Sequence, residues 1–232
     1  MQLQDAPATY LFKLWPWFEA NRIRIIWGGG VIVAAAGLIS FYSWQRDQKE
    51  ITAGKALTQV MRSIPRNATA GQQADLYLKI ATDYQDTSAG QRASLQGAAM
   101  LFAAGRYADA QAQFQKFLDA HPGSFFAAQA ALGVATSLDA QGKTDLAAGV
   151  YQRIINSYSD ATAVDSARFG LAQINERQGK LAEAVNLYEA IVHYNPNSSL
   201  GSEAGLRLME LKTKLPSASP ATAPAAPFKP NH

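Results

Sequence analysis

The sequence predicts an all-α protein: an N-terminal transmembrane helix followed by an α-solenoid of about four helical hairpins and a capping helix. Three observations lead there. Residues 25–45, reading IIWGGGVIVAAAGLISFYSWQ, carry no charged side chain; one aromatic position recurs every 37 residues; and glycine recurs in the same frame where a helical hairpin must turn back. Composition removes other classes. The 232 residues include no cysteine, which excludes disulfide frameworks, thiol catalysis and Cys-ligated metal sites. The formal charge is only +3, and residues 46–216 carry 17 basic and 16 acidic side chains, so there is no basic field to hold a phosphate backbone. Nucleic acid is therefore not an expected partner.

In chain order, residues 1–24 come first, and their aromatic stretch YLFKLWPWF reads as an interfacial segment in which Pro16 is expected to break or restart a helix. Residues 25–45 follow. As a helix these 21 residues span roughly 32 Å, matching a hydrocarbon core of about 30 Å. Trp15 and Trp17 before the run, and Phe41, Tyr42 and Trp44 at its far end, fall where the two headgroup layers would lie. Two alternatives stand beside a span: a buried helix of a soluble protein, and a cleavable leader ending near Ala34, Ala35 and Ala36. That tripeptide lies inside the apolar run rather than after it, which favours an uncleaved anchor. Basic residues flank both ends, with Lys13, Arg22 and Arg24 on one side and Arg46, Lys49, Lys55, Arg62 and Arg66 on the other, so charge does not fix the orientation. Gly30, Ala34 and Gly37 share a helical face suited to close helix–helix approach.

The repeat defines residues 46–215. Tyr77, Phe114, Tyr151 and Tyr188 are 37 residues apart, and the same frame aligns Ala110, Ala147 and Ala184, the glycines Gly105, Gly142 and Gly179, and Ile80, Phe117, Ile154 and Ile191. Ala56, Ala93, Ala130, Ala167 and Ala204 form a fifth column. Each unit reads as two helices joined at the glycine. Alanine lets the pair approach, and the aromatic and large aliphatic residues fill the space between pairs. Pro122 and Pro196 end second helices at equivalent positions. The hairpins are expected over 54–90, 91–127, 128–164 and 165–201, with a capping helix over 202–215 whose Glu203, Arg207, Glu210, Lys212 and Lys214 suit a water-facing end. The first unit fits least well: Gln73 holds the alanine position and Ala68 the glycine position, so its second helix is expected to begin later than the frame.

The order small residue, glycine, aromatic or leucine, alanine, aromatic, proline resembles the tetratricopeptide repeat (TPR). Gly105, Tyr107, Ala110, Phe114 and Pro122 carry it, as do Gly179, Leu181, Ala184, Tyr188 and Pro196. Three extra residues per unit depart from the usual 34. Units so lengthened, behind a single apolar segment, are similar to the group containing the ancillary SecYEG translocon subunit and the TPR domain of the cell division coordinator CpoB. The resemblance implies a protein-binding scaffold of the bacterial inner membrane, its array in the periplasm.

Residues 216–232 hold five of the ten prolines, with alanine, serine and threonine, and read as an extended, disordered tail that either stays solvated or offers a polyproline strand to a partner. His121, His193 and His232 have no ligand-spaced neighbours, carboxylates are scattered, and Gly28 to Gly30 sits in the apolar run, so no metal, cofactor or catalytic site is expected. The sequons at Asn67 and Asn197 matter only in a eukaryotic secretory protein. The expected working surface is the concave side of the stack, lined by first helices. In the repeat frame this places Lys55, Arg62, Arg66 and Arg92 in a basic first half, with Phe102, Gln129, Thr136, Gln173 and Glu176 further along. Such a groove suits an acidic or carboxy-terminal peptide, and the alternative is a set of ordinary solvated faces. Two functions follow: a membrane-anchored scaffold for envelope or exported proteins, and a structural, homo-oligomerising part of an envelope or division assembly. An enzyme is the third class.

Overall fold

The computed structural model describes residues 6–214, which hold nine helices and no strand. The chain divides into two compact units, Met1–Lys55 and Ala56–His232.

The first unit is built on α1 (Ala6–Ser63), one helix of 58 residues. It corrects two expectations. The helix continues through Pro16, where a break was expected: one missing donor and one steric clash cost about 3 kcal/mol, and the flanking turns continue regardless. Nor does it stop where the charge-free run ends at Gln45. Residues 46–53 change the polarity but include no glycine or proline, so solvation alters there while the backbone does not. The helix ends at Ser63, two residues before Pro65, which disfavours helical geometry in the residue it follows. Trp27, Val31, Ile32, Val33, Leu38 and Ile39 are all well exposed, and α1 is the one described helix long and apolar enough to cross a membrane.

The second unit is the array. Its second helices are α2 (Ala70–Asp83), α4 (Tyr107–Ala120), α6 (Thr144–Ser157) and α8 (Leu181–Tyr194), each 14 residues long and each starting 37 residues after the last. Its first helices are α3 (Ser88–Ala103), α5 (Ala127–Ala140), α7 (Ala161–Arg177) and α9 (Ser199–Lys214). Gly105, Gly142 and Gly179 have φ of 76°, 75° and 75°, the left-handed conformation in which glycine meets no Cβ penalty. At each, the next residue's N–H reaches back to a carbonyl five positions earlier, as Lys143 does to Leu138 at 3.0 Å. Orphan carbonyls at the helix end are satisfied in this way.

The turn before α2 has no glycine, yet α2 begins at Ala70, in frame and not later. A capping box replaces the glycine turn: Gln72 N–H donates to Thr69 Oγ1 at 3.3 Å, and Thr69 N–H donates to Gln72 Oε1 at 3.0 Å.

The repeat columns are the core. Tyr77, Phe114, Tyr151 and Tyr188 are buried, as are Ile80, Phe117, Ile154 and Ile191, and Ala110, Ala147 and Ala184 are sealed completely. In α2 the sealed alanine is Ala74, one position past the frame, while the Gln73 side-chain amide bonds the carbonyl of Ala68. Rings from one hairpin enter the first helix of the next: an added Cβ at Gly133 would lie 2.6 Å from the Phe114 ring, and one at Gly170 would lie 2.6 Å from the Tyr151 ring. The apolar core therefore runs along the stack, from α2 to α9, instead of gathering at one centre.

Candidate functional site

Which side of the array curves inward follows from which helices touch. First helices meet their successors, α3 with α5, α5 with α7 and α7 with α9, while no two of α2, α4, α6 and α8 come into contact. Small residues at fixed positions set that spacing, so the inner surface is a palisade of first helices.

Midway along it lies an open hollow of about 500 Å³. Phe102 enters from the end of α3, Thr136 and Asp139 from α5, Tyr151 from α6, and Gln173 and Arg177 from α7. The frame explains the convergence, since Thr136 and Gln173 are one repeat apart on successive first helices. Arg177 Nη2 donates to Asp139 Oδ1 at 2.6 Å, an ion pair that ties α5 to α7 across the floor. Phe102 is braced by the Tyr107 ring at 5.0 Å.

Two tyrosines one repeat apart show what this hollow offers. The Tyr188 hydroxyl donates to Glu176 Oε1 at 2.5 Å, and burial, followed by that bond, pushes its pKa well up. Tyr151 is 3% exposed and its pKa is pushed up to about 12, mainly by burial and then by the Asp139 carboxylate, with Arg177 opposing. Its hydroxyl bonds no described residue. A neutral phenol donor therefore stands at the wall beside an aromatic plane, an amide and a hydroxyl, groups that match the alternating donors and acceptors of an extended peptide.

Of the residues that the sequence nominated for a groove, the structure brings Phe102, Thr136 and Gln173 into one hollow. Glu176 stands a turn beyond, held by Tyr188. Gln129 is exposed on α5. Arg92 is exposed on α3 with its guanidinium 5.7 Å from the Phe126 ring centre. Arg62 and Arg66 are exposed at the end of α1 and in the loop after it, apart from the hollow's lining, and Lys55 belongs to the first unit. Sequence reasoning missed Asp139, Arg177 and the Tyr151 hydroxyl. Asp139 was within reach, being one repeat before Glu176; Arg177 was not, because Ala140 holds its frame position in the preceding unit.

A second hollow, of about 390 Å³, opens between α2 and α4 on the other side, walled by Thr82, Gln85, Gln91, Lys116 and His121. No three of His, Asp and Glu among the described residues are grouped to hold a metal ion. His232 and the expected tail lie outside the described residues.

Comparison with known families agrees with the geometry. Residues 16–148 match the family described as tetratricopeptide repeat-like domain, and residues 135–199 match a second described as tetratricopeptide repeat. No curated protein matches the chain.

Proposed function

The chain belongs to the tetratricopeptide repeat-like domain family, a class of protein-interaction scaffolds, and on that premise we propose that it works as a membrane-anchored scaffold of the bacterial cell envelope. In this reading α1 crosses the inner membrane through residues 25–45, residues 46–215 form the periplasmic array, and the clients are envelope or newly exported proteins met near the translocon or its periplasmic chaperones. The observation that carries it is the inner hollow that Phe102, Thr136, Tyr151 and Gln173 line together. A preordered wall binds an extended segment at small ordering cost, and tethering raises its concentration at a membrane complex. The exposed apolar surface of α1 supports the anchor.

Photocrosslinking side chains placed at Phe102 and Gln173 in living cells, followed by mass spectrometry, test the reading. Envelope or exported proteins are expected at both positions and not at Gln152 on the outer face of α6. Recovery of cytosolic proteins alone would contradict it, as would an enzymatic reporter fused after His232 that is active only in the cytoplasm.

One feature favours the second reading, a structural component that self-associates: the last helix of the array presents apolar side chains to solvent.

A further inference from the structure

Each complete hairpin presses one stripe of its first helix onto its own second helix. In α7 that stripe is Asp165, Phe169, Ala172 and Glu176. The Phe169 ring meets Tyr188 edge-on at 5.3 Å, Ala172 is sealed, Asp165 bonds Asn195, and Glu176 takes the Tyr188 hydroxyl. The same frame positions in α9 are Ser202, Leu206, Met209 and Thr213, and α9 is the last of the described helices. Leu206 is 70% exposed and Met209 71%, although their counterparts in α3, Leu95 and Ala98, are 5% and 0% exposed. Beside the charged side chains expected of a water-facing end, α9 therefore carries an open apolar stripe.

The charges beside this stripe indicate what covers it. Glu203, Arg207, Glu210 and Lys214 run along one flank with alternating sign, at the same 4, 3, 4 spacing as Ser202, Leu206, Met209 and Thr213. Read backwards, each sequence complements itself. Leu206 meets Met209 and Ser202 meets Thr213 about one centre, while Glu203 meets Lys214 and Arg207 meets Glu210 about a centre one residue further on, an offset of about 1.5 Å of helix rise that long charged side chains span. Within one chain Glu210 already pairs with Lys214 at 2.5 Å and with Arg207 at 3.7 Å, whereas Glu203 has no ion partner among the described residues. The residues that follow put Pro216 where Gly142 and Gly179 take positive φ, a conformation closed to proline, so the chain's own sequence does not offer the same hairpin turn.

We propose that α9 packs antiparallel against α9 of a second copy, about a two-fold axis between Leu206 and Met209. The partner helix takes the place that a second helix holds in the complete hairpins, where it also runs antiparallel. The contact is isologous, so it closes at two copies and forms no fibre. Both charged flanks lie on the same side of the pair.

The chain has no cysteine, which makes the test direct. Full-length Ser202→Cys and Thr213→Cys variants, differently tagged, are mixed in detergent and oxidised. The mixed disulfide is expected to exceed either self-disulfide by about fivefold or more. Glu203→Lys should weaken dimerisation in sedimentation by about fivefold, and adding Lys214→Glu should restore it. The double change Leu206→Asp and Met209→Asp, at exposed positions, should remove the mixed disulfide. A monomer at all concentrations, or self-disulfides equal to the mixed one, would overturn the proposal. So would a dimer indifferent to the Asp pair. Dimerisation that appears only when the chain is shortened at Lys214 would also overturn it, since residues 215–232 would then cover the stripe.

Discussion

Tyr151 and Ser137 show how single positions divide between packing and use. Burial holds the Tyr151 phenol neutral, so the folded state keeps a proton that the unfolded state releases near pH 10. Stability from this group is full below pH 10 and is lost as pH rises to about 12, by on the order of 2 kcal/mol. Tyr151→Phe should flatten that alkaline loss in denaturant titrations at pH 9 and 11. Ser137 is fully buried and its hydroxyl has no partner among the described residues, while Ile174 and Leu211 hold its frame position. Ser137→Ala should therefore be neutral or stabilise by about 1 kcal/mol, measured by urea unfolding, because it removes an unsatisfied polar atom. The glycines opposite the rings behave oppositely. Gly133→Ala gains helix propensity of about 1 kcal/mol but drives a methyl into the Phe114 ring, and overpacking of 1–3 kcal/mol outweighs the gain in such a core. A lowered midpoint is expected.

At the scale of elements, two devices start second helices. Thr69 with Gln72 does for α2 what Gly105, Gly142 and Gly179 do for the others. Thr69→Ala should cost about 1 kcal/mol, and Gly142→Ala about 1–2 kcal/mol because a side chain then occupies positive φ; thermal unfolding with matched controls at Gly149, an open helical position, reads both. These elements also mark what the sequence could reveal. The turn glycines, rings and alanines recur at one spacing, so pairs of helices and their buried faces were legible. Gly133 and Gly170 were not, because Gln96 and Arg207 hold the same frame position in other units, and a requirement met only twice leaves no column. The capping box occurs in one unit only, so Thr69 and Gln72 leave no repeat column as the glycines do. The continuity of α1 through Pro16 was not legible, because proline removes a donor and clashes with the preceding turn whether or not the flanking turns hold.

At the scale of the whole chain, the proposed function gives an apolar helix and an array of paired helices separate tasks, one of residence and one of contact. The array has no single centre, so its inner surface can be altered without dissolving the core, and the hollow at Phe102, Thr136 and Gln173 belongs to such a surface. Partner identity was not legible, since the proposed recognition surface is made of scattered side chains from successive helices and not of a motif. The claim that this hollow holds client protein is tested most directly by thiol labelling in the cysteine-free chain. Thr136→Cys should react several-fold more slowly in native membranes than in purified protein, while Gln152→Cys reacts equally in both. Equal rates for Thr136→Cys in the two preparations would contradict the account.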